Sequence, residues 1–139
     1  RDVLGEFLLS VVLQQFLPEA EARQSAAGWH GDRYELWKQA TSGRMLLACV
    51  TVWDTDNDAI EFWQSYTRLL SRKYPDWPAP VITEPHSAFW QQGERQMWLH
   101  RAGPMVYLIE GATPAELPAV QAALRQATVV PHVSPPLAR

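Results

Sequence analysis

The sequence predicts an α+β fold, a five-stranded and mainly antiparallel sheet with helices packed on one face. Three observations predict it. Apolar residues recur at helical spacing near the N-terminus and again between Ala59 and Tyr74. Five runs of strand character are bounded by turn residues. The turns between successive strands are too short for a parallel crossover, so neighbouring strands must run antiparallel.

Taken in order, Val3, Leu4, Phe7, Leu8, Val11 and Leu13 mark a helix over Asp2 to Leu17, with Asp2 placed to cap it. Pro18 stops that helix or opens a second short one, and Glu19 to Ala27 has strong helix-forming composition. Gly28 caps its end, and Gly28 and Gly31 bracket Trp29-His30 in a turn. Arg33 to Gln39 and Met45 to Trp53 read as a hairpin closed by Thr41-Ser42-Gly43. Thr55, with Asp58 three residues on, starts a helix whose stripe is Ala59, Phe62, Trp63, Tyr66, Leu69, Leu70 and Tyr74; Pro75 ends it. The proline-rich stretch Pro75 to Pro85 reads as an extended loop. Ser87 to Gln92, Arg95 to Arg101 and Met105 to Glu110 then form a meander, turning at Gly93-Glu94 and Gly103-Pro104. Thr113-Pro114-Ala115-Glu116 is a capping box that opens a last helix running to about Ala127. The element order is α-β-β-α-β-β-β-α, in one domain over residues 1–139 with a proline-rich tail at 130–139.

Composition narrows the function classes. The 139 residues are 47% hydrophobic and 19% charged, a globular balance that suffices for one core. A formal charge of -3 speaks against nucleic acid as a partner, because such domains carry a strong basic patch. The longest apolar run, Phe7 to Leu13, is far short of the roughly 20 residues of a spanning helix. Cys49 is the single cysteine, which rules out an internal disulfide or a thiolate cluster. The opening Arg1-Asp2-Val3 has no initiator Met and no signal-peptide pattern, and reads as a domain cut from a longer chain rather than a processed protein.

No complete catalytic motif stands in the chain, and no cofactor or metal is expected. His30, His86, His100 and His132 are scattered singly, no glycine-rich phosphate loop follows a strand, and no nucleophile elbow is present. Cys49 lies in an apolar strand, where a buried thiol is inert. Asp54, Asp56 and Asp58 begin like a calcium loop, but Ala59 stands where that loop needs Gly and Ser65 where it needs Glu. Acidic residues at a helix start are sufficiently explained by its free amides and dipole.

Seven tryptophans in so short a chain are the unusual feature. Strand alternation puts Met97, Leu99, Val106 and Leu108 on a core face and Trp98, His100 and Tyr107 on the other. In the first hairpin the same rule groups Trp37 with Trp53, and Tyr34 and Leu36 with Val50 and Val52. Trp37, Trp53, Trp90, Trp98, His100 and Tyr107 are therefore the candidate binding residues, on an aromatic and polar sheet face. Either that face receives a partner, or the first helix or the proline-rich tail covers it as a second core.

Leu4-Gly5-Glu6-Phe7, Ala26-Ala27-Gly28-Trp29-His30-Gly31-Asp32-Arg33-Tyr34, Thr51-Val52-Trp53-Asp54 and Asp58-Ala59-Ile60-Glu61-Phe62 together carry a resemblance. Over roughly Asp2 to Tyr74 the chain resembles the C-terminal region of bacterial envelope proteins that look like zinc metallopeptidases. Their zinc-binding His-Glu-x-x-His helix lies upstream and is not in this chain, so no catalytic residue carries over. His30 departs from the family, which often has a small residue there. Gly28, Trp29, Gly31, Asp32 and Arg33 match the turn motif, with the glycines suited to a tight turn and Asp32 and Arg33 to locking it. The resemblance implies an extracytoplasmic, non-catalytic accessory domain that docks to an upstream protease-like domain or a protein partner. The alternative is a free-standing domain that takes an apolar small molecule or a glycan on its tryptophan face. A third reading, an enzyme acting alone, would have to build its site around His30 and Asp32.

Overall fold

Pro18 divides the N-terminal helical stretch in two, giving α1 (Gly5–Gln14) and α2 (Glu19–Ala26). The structure, a computed structural model, describes residues 3–83 and 86–127. After the two helices come β1 (Trp29–Lys38), β2 (Met45–Trp53), α3 (Asp56–Lys73), β3 (Val81–Thr83), β4 (Ser87–Gln92), β5 (Arg95–Ala102), β6 (Met105–Ala112) and α4 (Leu117–Gln126). The expected cap Asp2 and the proline-rich tail from Pro131 lie outside the described residues.

The sheet has six strands, not five, in the order β1-β2-β6-β5-β4-β3, and every neighbouring pair is antiparallel. The added strand is Val81-Ile82-Thr83, which pairs with β4 through Val81↔Phe89 and Thr83↔Ser87. Prolines around it masked the signal, but three consecutive β-branched residues suit a pleated edge, where only one side must be hydrogen-bonded. The element order is accordingly ααββαββββα.

The local signals elsewhere act as expected. The Thr55 side chain accepts a hydrogen bond from the Asp58 N–H at 3.0 Å and starts α3. The α3 stripe Ala59, Phe62, Trp63, Tyr66, Leu69 and Leu70 is buried, each large member contributing about 1.5–3 kcal/mol by leaving water. At α4 the capping box closes both ways: the Thr113 N–H donates to Glu116 Oε1 at 2.9 Å, and the Glu116 N–H to Thr113 Oγ1 at 3.2 Å. The helix itself begins one residue later, at Leu117.

Helices cover both faces of the sheet, which corrects the expectation of one. On the first face α1, α2 and α3 pack over Cys49, Trp53, Trp90, Met97, Leu99, Val106 and Leu108. On the second face α4 brings Leu117 and Leu124 onto Ala48, Val50, Trp98, Tyr107 and Ile109. α4, not α1, covers the second face, and the tail lies outside the described residues.

Gly28 and Gly31 do not bracket a turn. Strand β1 begins at Trp29, and a bulge lies between Trp29 and Gly31. Gly28 has φ +86° and Gly31 does not need the left-handed region. A Cβ on Gly28 would come within 2.4 Å of an Asp58 carboxylate oxygen, so this glycine lets the strand start pass close to α3.

Candidate functional site: a trough between the last helix and the first hairpin

The hairpin register decides which tryptophans share a face. Trp37 pairs with Leu46 and Trp53 with Trp29, and the bulge between Trp29 and Gly31 displaces the pairing by one residue. Leu46 and Trp53 are seven positions apart on β2, so their side chains leave opposite faces. Trp37 therefore lies with Leu46, Ala48 and Val50 on the α4 side, whereas Trp53 points to the opposite core with Tyr34. Grouping Trp37 with Trp53 assumed a hairpin register one residue away from the observed one. Trp90 also lies on the first face, with Met97 beside it.

Of the six candidate binding residues, four are buried. Trp53 stacks on Phe62 with ring centroids 4.7 Å apart and donates its Nε1–H to Thr51 Oγ1 at 2.8 Å. Trp90 lies beneath the same helices. Trp98 and Tyr107, at 6% and 7% exposure, stack with each other and with His100. Arg125 of α4 lies over the Trp98 ring, 5.5 Å from its centroid. Burial lowers the His100 pKa, and the charges of Arg125 and Arg101 lower it further. Trp98, His100 and Tyr107 do share the second face, but α4 closes over its aromatic centre.

Trp37 is different. It is 46% exposed and stands between two hollows. The larger, about 510 Å3, runs between α4 and the β1–β2 hairpin. Its floor is Ala48 and Val50; Ala119, Val120, Ala123 and Leu124 of α4 form one wall and Trp37 the other. The second, about 430 Å3, continues past Trp37 to Lys38, Arg44 and Leu46. The space exists because Ala48, Ala119 and Ala123 are small where helix and sheet approach. Alanine at Ala119 and Ala123, one helical turn apart, is a sequence signal that the tryptophan count overshadowed.

Charges sit at both ends of this trough. Arg33 and Glu35 line one end. At the other, Arg44 donates to Glu116 Oε2 at 2.8 Å and to the Gly111 carbonyl at 2.7 Å. The Arg44 contact, followed by the Thr113 amide, holds the Glu116 carboxyl down at about 2. Among the described residues no His, Cys, Ser or Asp lines either hollow. The lining is an apolar slot with ionic ends, suited to holding a side chain rather than transforming one.

The turn-motif residues have structural partners. Asp32, buried in the first core, accepts the Leu4 N–H at 2.7 Å, the Gly5 N–H at 2.9 Å and the Trp29 Nε1–H at 2.8 Å. It thus caps α1 from far along the chain, a role sequence reading gave to Asp2. Arg33 lines the trough instead of pairing with Asp32 in a turn lock. His30 faces Asp54, Nδ1 to Oδ1 3.2 Å, so His30 and Asp32 serve separate contacts. Among the described residues no group of three or more His, Cys, Asp or Glu side chains could hold a metal. Cys49 is buried, and its burial raises the thiol pKa.

One family model matches residues 1–121, from the N-terminus into α4. The chain belongs to that family, described as a domain of unknown function (DUF8575). The match takes in the whole sheet and all of α1 to α3, and it ends before Ala123 and Leu124 of the trough. No curated protein and no solved structure matches the chain. Among the described residues no helix is long and apolar enough to cross a membrane.

Proposed function

We propose that this chain is a non-catalytic interaction domain that binds an extended protein segment in the trough between α4 and the β1–β2 hairpin. The observation that carries this is Trp37, a half-exposed ring on an edge strand between two apolar hollows. Exposed tryptophans beside a fillable slot are the residues on which binding energy concentrates. An edge strand also offers backbone groups to an added segment, while the hollows take alternate side chains. A bulky apolar residue of the partner would fill the larger hollow, and its flanking charges would meet Arg33, Glu35 and Lys38. This replaces the broad aromatic sheet face, whose centre lies under α4, with the open end of the same face.

The resemblance over Asp2 to Tyr74 supports an accessory role beside a protease-like domain and an extracytoplasmic setting. The outer side of α1 adds support for docking to a neighbour. Val3, Phe7 and Leu8 are exposed there, Phe7 at 76%, on a helix that is apolar nearly all round.

A display selection of random peptides on the immobilised domain tests the reading. The expected result is a consensus with one bulky apolar anchor. Trp37→Ala should weaken it at least tenfold, as should Ala123→Trp, which fills the slot; such losses are typical of an interface centre. Absence of enrichment, or binding that survives both substitutions, would rule the trough out. Binding that appears only in a chain shortened to end at Ala127 would mean the trough is occupied from within.

A further inference from the structure

A second hollow lies across the sheet from the trough. Beneath α1 the first core holds a partly open cavity of about 160 Å3. Its floor is Cys49, Thr51 and Val106, and Phe62 and Tyr66 of α3 close one side. Elsewhere on this face Trp53 and Trp90 fill the space above the sheet. Here the floor offers only the small and medium side chains of Cys49, Thr51 and Val106, and α1 bridges over them. Protein interiors seldom keep voids much larger than a water molecule. An apolar one of roughly this size stays dry and admits a benzene-sized guest.

We infer that this void is a binding chamber for a small uncharged molecule, a single-ring aromatic or a branched hydrocarbon of about six to eight non-hydrogen atoms. Four considerations specify the guest. The volume limits its size. No cationic side chain lines the chamber, so a carboxylate would be buried without a partner, which is strongly unfavourable. The polar atoms on the floor are neutral or already engaged: the Thr51 hydroxyl accepts from Trp53 Nε1 and donates to the Val106 carbonyl. Burial raises the pKa of both the Cys49 thiol and the Tyr66 phenol, which keeps them uncharged. Access is on the side of α1, where Leu4, Val12, Tyr34 and Leu47 line the chamber and are only part-buried. The chamber is separate from the trough, and either can fail without the other.

Toluene is the probe, titrated into the intact chain and followed by methyl NMR and thermal unfolding. The expected result is saturable shifts of the Val106 and Leu108 methyl groups, a Kd below about 0.1 mM and a raised Tm, since a guest of the native state stabilises it. Benzoate, of similar size but charged, should give none of these. Cys49→Met, which reaches into the void, should weaken toluene at least tenfold, and Ala123→Trp in the trough should leave it unchanged. No saturation, a Kd weaker than that limit, equal binding of benzoate, or unchanged affinity in Cys49→Met would each overturn the chamber. If Cys49→Met does not fold, the wild-type shifts decide: shifts away from Val106 and Leu108 overturn it, and shifts at them support it.

Discussion

At the scale of single residues, the buried carboxylate of Asp32 does the most. It satisfies two amides at the start of α1 and one indole, and leaving those donors buried without an acceptor is expensive. Asp32→Ala should lower stability by about 2–4 kcal/mol, measured by urea unfolding, and Asp32→Asn should lose less because one acceptor remains. Glu116 gives a pH signature. Its folded pKa is depressed from 4.5 to about 2, mainly by Arg44, so its contribution is complete above the ordinary value and is lost as pH falls toward about 2. Wild type should therefore lose stability across that window, and Glu116→Gln should lose less there in acid titrations of the unfolding midpoint. The carboxyl is partly exposed, so water screens the effect and the difference is expected to be modest.

At the scale of elements, the end of β6 passes tightly against the start of β2. Gly111 has φ +92°, and a Cβ there would lie 2.4 Å from the Met45 carbonyl oxygen, which belongs to backbone and cannot swing away. Gly111→Ala should destabilise by more than about 2 kcal/mol, read from chemical unfolding, and should loosen the trough because Arg44 holds the Gly111 carbonyl. The capping box of α4, the Thr55 cap and the α3 stripe were all legible because each depends on residues within four positions. Strand β3 was not, because three β-branched residues among prolines become a strand only when β4 is alongside. The faces of Trp37 and Trp53 were not either. Alternation assigns faces correctly within a strand, but only the register across the hairpin, Trp37↔Leu46, ties the faces of β1 to those of β2.

At the scale of the whole molecule, two cores on the two sides of one sheet distribute the seven tryptophans. Trp53, Trp63, Trp90 and Trp98 are buried, Trp29 and Trp77 are half-buried, and Trp37 is the exposed one. Acrylamide should quench a minor fraction of the fluorescence strongly, and Trp37→Phe should remove most of that fraction. Quenching that is uniform across the emission, or unaffected by Trp37→Phe, would contradict this distribution. The same partition limits the candidate site. Sequence reading found Trp37 but placed it among rings that helix packing conceals, and it missed Ala119 and Ala123, whose smallness matters only where α4 meets the sheet.

The sequence by itself determined the α+β class, the antiparallel meander, the helix starts and the core stripe, because these follow from short-range periodicity and capping. Only the tertiary structure decided that β6 lies between β2 and β5, that α4 covers the second face, and that Asp32, far along the chain, accepts the amides at the start of α1. Those outcomes depend on groups far apart in the chain competing to satisfy the same amides and bury the same surface. No window of neighbouring residues contains both competitors.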